Sequence, residues 1–153
     1  MNRTVTALLS VAATLILATS ASAHCEIPCG IYGDEARFSS MFEHVTTIEK
    51  SMKLIRQLSG EEEKNFNQIA RWVANKDKHA DDLREIVVDY FLAQRVKVAD
   101  SNDEKAHKRY LERLVLLHGI IVRSMKAKQT TDHEHVDALK ELIHLFKDSY
   151  FEK

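Results

Sequence analysis

From Glu35 onward, apolar side chains recur at steps of three and four residues. Phe38, Met41, Phe42, Val45, Ile48, Met52, Ile55 and Leu58 share one face of an α-helix, because a 3.6-residue turn stacks such positions above one another. Gly60 is expected to end that helix in a left-handed conformation. A longer second helix is predicted from about Glu61 to Val96, its stripe carried by Phe66, Ile69, Val73, Ala80, Leu83, Val87 and Tyr90. Glu61 to Glu63 would lie in its first turn, where acidic groups favour the positive end of the helix dipole. Ser101 or Asn102 can cap a third helix to about Met125, with Ala106, Tyr110, Leu114, Leu117 and Ile121 on one side. Thr131 or Asp132 opens a fourth, in which Val136, Leu139, Ile143, Phe146 and Tyr150 follow the 3.5-residue repeat of a bundle seam. No alternating β pattern competes. Four stripes joined by short connections bury one another most simply in an all-α, antiparallel four-helix bundle, assigned to residues 35–153.

Composition narrows the picture. In 153 residues there are four Gly and one Pro, few breakers for a chain of long helices. The net charge is -1 and the Lys and Arg residues are interspersed with Asp and Glu, so there is no basic footprint for nucleic acid or an anionic membrane.

The first residues do not fit the bundle. Arg3 precedes an apolar run from Val5 to Ala18, and Ala21-Ser22-Ala23 forms a small-residue cleavage site. The run is short for a membrane span and has no basic cluster behind it. Residues 1–23 are therefore read as a signal peptide, cut by signal peptidase before His24. The mature chain would be exported to the periplasm or the medium, with no membrane contact after cleavage.

Cleavage there would create an unusual set of metal donors. The free α-amine of His24 is followed by Cys25, with Cys29 four residues on, across a turn shaped by Pro28 and Gly30. The amine and the Cys25 amide nitrogen can close a five-membered chelate ring, and that nitrogen with the Cys25 sulfur a second. The Cys29 thiolate can complete a plane of two nitrogens and two sulfurs, with the His24 imidazole in reach of an axial position. A planar site of this kind points to nickel(II) or copper(II), since zinc prefers a tetrahedral shell. Anionic sulfur and amidate donors push electron density onto the metal, which is what brings the oxidation of nickel(II) into an accessible range.

At this point a family resemblance is specific. The stretch His24-Cys25-Glu26-Ile27-Pro28-Cys29-Gly30-Ile31-Tyr32 resembles the nickel-hook motif H-C-x-x-P-C-G-x-Y of the nickel superoxide dismutases at all six defined positions. Asp89-Tyr90-Phe91 resembles a further family segment whose tyrosine lies near the metal. The resemblance implies a homohexamer of four-helix bundles, a hook loop over residues 24–34, nickel held by His24, Cys25 and Cys29, and Tyr32 guarding access and ordering water. The implied reaction converts two superoxide ions into oxygen and hydrogen peroxide by nickel(II)/nickel(III) cycling. There are departures: where the family has an acidic and a basic residue holding the axial histidine ring, Ser39 and His79 stand here, and Glu35, Glu43 or His79 could substitute.

Other readings compete. An exported helical protein could hold nickel or copper in the same hook without turnover, although Tyr32 has no use in a passive chelator. Two cysteines in an exported chain ordinarily form a disulfide, and Cys25 with Cys29 would close a small loop. Tyr90 can serve as core or as site. His133 and His135 read as a solvated first turn, and His44, His79, His107, His118 and His144 as scattered, without an E-x-x-H pairing.

Overall fold

The computed structural model describes residues 33–152. Among them are four helices and no strand: α1 (Asp34–Gly60), α2 (Phe66–Glu85), which continues without a break as a π-helical segment (Ile86–Arg95), α3 (Glu104–Gln129) and α4 (Glu134–Phe151). Cross-helix pairs set the directions. Along α1 and α2, Asp34 meets Tyr90, His44 meets His79 and Ser51 meets Asn75, so one chain runs up as the other runs down. Arg123 with Glu134 and Arg113 with Ser149 show the same relation for α3 and α4, and α4 returns beside α1 through Glu49 with Lys140. The bundle is the antiparallel one that the four stripes predict.

The core is where the periodicity places it in α1 and α4. Phe38, Met41, Val45, Ile48 and Met52 are fully buried, as are Val136, Leu139, Ile143 and Phe146. Burial of each such side chain stabilises the fold by about 1.5–3 kcal/mol. Phe38 is the hub of an aromatic cluster at one end, with ring centroids 4.9 Å from Phe91, 5.5 Å from Phe146 and 5.7 Å from Tyr150. Gly119 lets α3 and α4 approach: a Cβ there would lie 3.2 Å from the Leu142 methyl carbons.

Several boundaries differ from the sequence expectation. Gly60 is the last residue of α1 and is not left-handed; the chain leaves through Glu61 in an extended conformation. Glu61 to Glu63 consequently lie in the connection, and α2 begins only where the Asn65 side chain accepts the Gln68 N–H at 3.1 Å. Phe66 and Val73 do not join the core, being 73% and 37% exposed. α2 makes its buried contact with the last turn of α3 at Lys76, and Val73 lines an open depression beside it with Lys128, Gln129, Thr130 and Thr131. Asp103, not Ser101 or Asn102, caps α3 by accepting the Ala106 N–H. Asp132 accepts the Glu134 N–H at the start of α4.

Two buried polar groups tie α2 down. Lys76, 2% exposed, donates from Nζ to the Ala127 and Lys128 carbonyls at 2.7 and 2.6 Å. A helix ends with carbonyls that have no partner in the next turn, and a cation there also meets the negative end of the dipole. Asn75 donates to the buried Ser51 hydroxyl at 3.0 Å, and Ser51 donates on to the Thr47 carbonyl at 2.8 Å.

Candidate functional site

The expected metal ligands His24, Cys25 and Cys29, with Tyr32 and residues 1–23, lie outside the described residues. What is described is the place from which that stretch departs. Gly33 precedes α1, and Asp34 opens it.

Asp34 is held by three donors from two other elements. The Tyr90 hydroxyl donates to Oδ1 at 2.6 Å. Arg95 Nη2 and the Tyr150 hydroxyl donate to Oδ2 at 2.7 and 2.9 Å. Arg95 Nε reaches the Tyr150 oxygen at 3.3 Å, closing the network. Burial alone would raise the Asp34 carboxyl, but the bonds from Arg95, Tyr90 and Tyr150, with the Arg95 charge, hold it below the usual carboxylate range. Conversely, burial and then Asp34 push the Tyr90 phenol up to about 12. Burial and the same carboxylate raise Tyr150. Both tyrosines therefore stay protonated and can donate.

The π-helical segment makes this convergence possible. Its bonds run from residue i+5 to residue i, as in the Val96 N–H to Phe91 carbonyl contact at 2.8 Å. Widening the turn in this way brings residue i+5 above residue i, and the Arg95 guanidinium lies over the Tyr90 ring, 5.8 Å from its centroid. An ordinary α-turn would carry position 95 round to another face. The Arg37 guanidinium also faces the Tyr90 ring, at 5.1 Å. Beside the anchor, Arg95, Lys97, Arg109, Arg113, Tyr150 and Glu152 line an open depression of about 400 Å³ in which cations outnumber the one carboxylate.

Of the two readings left open by the sequence, the core one holds for Tyr90. It is 1% exposed and belongs to the core stripe, while its hydroxyl reaches the head of α1. Of the residues considered for holding the axial histidine, Glu35 pairs with Lys147 at 2.8 Å, while the Glu43 side chain is exposed. His79 Nδ1 lies 2.8 Å from His44 Nδ1, so these two histidines are not scattered. Burial, then the neighbouring His79, lower His44 below the ordinary histidine range. His135 faces the Arg123 guanidinium at 3.1 Å, an unsuitable neighbour for a bound cation.

A helical bundle preceded in sequence by an imidazole, two thiols and a fixed point of departure has the organisation of a metalloprotein. A family model described as nickel-containing superoxide dismutase matches residues 19–153, which spans the described bundle and the motif before it. The chain belongs to the nickel-containing superoxide dismutase family. No curated protein and no solved structure matches it. The protein is thus a nickel-dependent oxidoreductase that converts superoxide to oxygen and hydrogen peroxide. The sequence carries two cysteines, Cys25 and Cys29, and two thiols beside an imidazole are a donor set of the kind that suits nickel.

Proposed function

We propose that the working enzyme begins at His24, exposed by signal peptidase after export to the periplasm or the medium, and that His24, Cys25 and Cys29 hold the nickel. Bound there, nickel supplies one-electron exchange between its +2 and +3 states. Cys25 and Cys29 contribute the anionic sulfurs, and His24 contributes its amine and its ring. Tyr32 would limit access to the metal and order water there, from which the two protons of hydrogen peroxide would be drawn. Tyr90 is not that proton source, because its phenol is held protonated and its hydrogen is given to Asp34.

The observation that carries this reading is the anchored head of α1. Asp34 lies two residues beyond Tyr32 in the chain, and three donors hold it. The short donor segment thus departs from a rigid base, which a repeatable ligand geometry requires. The homohexamer belongs to the same proposal. It is supported by apolar surface on the outer side of α3, where Leu111, Val115 and Met125 are 47%, 70% and 44% exposed.

Amino-terminal sequencing, metal analysis and superoxide turnover of the purified natural protein test the proposal together. The expected result is a chain starting at His24, one nickel per chain, and turnover abolished by Cys25→Ser with helicity retained. A natural chain starting elsewhere, or arriving with both sulfurs oxidised to a disulfide and no metal, would overturn the ligand set. A nickel-loaded protein without turnover would favour the passive chelator.

A further inference from the structure

About ten residues along α1 from Asp34, roughly 15 Å at the helical rise, His44 faces α2 against His79 and Asp82. One ligand atom from each of the three lies within 4.8 Å of the others, and all three residues are half-buried. We propose that His44, His79 and Asp82 form a second metal site, separate from the hook, for a divalent ion of the zinc class.

Its construction is that of a bundle metal site. His79 and Asp82 stand three apart and share a face of α2, while His44 comes from the facing helix, so the ligands converge from two rigid elements. The two Nδ1 atoms are 2.8 Å apart, a contact that needs one proton between them. Zinc–nitrogen bonds of about 2.0–2.1 Å in a tetrahedral shell put neighbouring ligand atoms roughly 3.3 Å apart, so small ring rotations exchange that proton for an ion. Two imidazoles and one carboxylate suit zinc(II), copper(II) or nickel(II) over magnesium or calcium, which prefer oxygen. Three protein ligands leave a fourth position for water. Zinc(II) has no accessible second oxidation state, so an ion of that class here bridges α1 and α2 instead of turning over superoxide.

Lys78 is the competitor. Its ammonium lies 2.8 and 2.7 Å from the two Asp82 oxygens. Yet the Lys78 side chain is 70% exposed, and an exposed i,i+4 pair is readily given up to solvent.

The test uses the full mature chain, untagged and loaded with nickel, titrated with zinc(II) and with cobalt(II) as a visible reporter. We expect one further equivalent per chain, ligand-field bands of a four-coordinate cobalt site, and a thermal midpoint that rises with zinc. His44→Ala and His79→Ala, checked for helicity, should each weaken that uptake by more than about tenfold, and His44→Ala should leave nickel content unchanged. Lys78→Ala should strengthen it by freeing Asp82. Cys25→Ser/Cys29→Ser should lose nickel and keep the second ion, which separates failure of this proposal from failure of the hook ligands. No second equivalent at micromolar metal overturns the site, and so does uptake that ignores both histidine substitutions. Histidine variants that alter only the nickel spectrum, with no second ion in the parent, would overturn it as well and assign the pair to the hook.

Discussion

The Tyr90 hydroxyl lies 2.6 Å from Asp34 Oδ1, joining the last turns of the second helical rod to the first residue of α1. The contact lies at the end of the bundle where α1 begins. On one side is the aromatic cluster around Phe38 and Phe91, and on the other the chain that leads back to Tyr32.

Tyr90→Phe should keep the ring and remove the donor. A hydrogen bond to a charged group contributes about 1.5–3 kcal/mol, so urea unfolding should report a loss in that range, toward the lower end because Arg95 and Tyr150 still hold Asp34. If the anchor fixes the base of the hook, superoxide turnover should fall with nickel still bound. Full activity in a destabilised variant would limit Tyr90 to stability.

Acid should weaken the same contact. The folded-state carboxyl of Asp34 lies below its ordinary value, so its contribution is complete above the unfolded value of about 3.9 and is lost as pH falls through the folded one. Glu49, lowered chiefly by its bond from Lys140, and Asp81, lowered chiefly by Lys128, act in the same direction. Urea midpoints should fall steeply below about pH 4, and Asp34→Asn should flatten that decline while lowering stability at neutral pH. An unchanged acid slope in Asp34→Asn would show that this carboxyl contributes nothing there.

Lys76→Met should be among the costlier substitutions in the bundle. It leaves the Ala127 and Lys128 carbonyls without their donor at a buried helix end, and charge-assisted bonds of this kind stabilise by about 1.5–3 kcal/mol each. Denaturant midpoints check this, and Lys76→Arg should recover only part, since a planar fork does not reproduce two contacts made by one ammonium.

One residue added before His24 should abolish turnover. On the proposed ligand set the amine would be displaced from its chelate ring and the imidazole moved with it, whereas the first of the described helices begins ten residues later at Asp34. Circular dichroism should therefore be unchanged. An active extended enzyme would count against the amine as a ligand.

The sequence carried much of the fold because burial follows period. In α1 and α4 the stripe residues with few exceptions became the core. In α2 the same phase includes position 76, midway in the seven-residue step from Val73 to Ala80, but a lysine there did not read as core. In α3 the buried face moves onto Leu117, Ile120, Ser124 and Ala127, two of them too small or polar to mark a stripe. The family was legible because the hook motif that carries the resemblance is a run of nine neighbouring residues, His24 to Tyr32. The anchor and the His44–His79 contact were not, since both depend on the register between helices, which no single helix encodes. The π-helical turn left no signal in the periodicity.

That wide turn stores one residue more than a regular helix would need to cover the same length. Deleting a single residue between Tyr90 and Arg95 would let the rod rewind into ordinary α geometry with its hydrogen-bond ladder intact. The guanidinium would then rotate away from the phenol, and the carboxylate at the head of the first rod would lose one of its three clasps. A chain shortened in this way could fold well and still loosen the first residue of α1, so in this protein a local surplus of backbone, and not a deficit of packing, fixes how the first rod is held at its head.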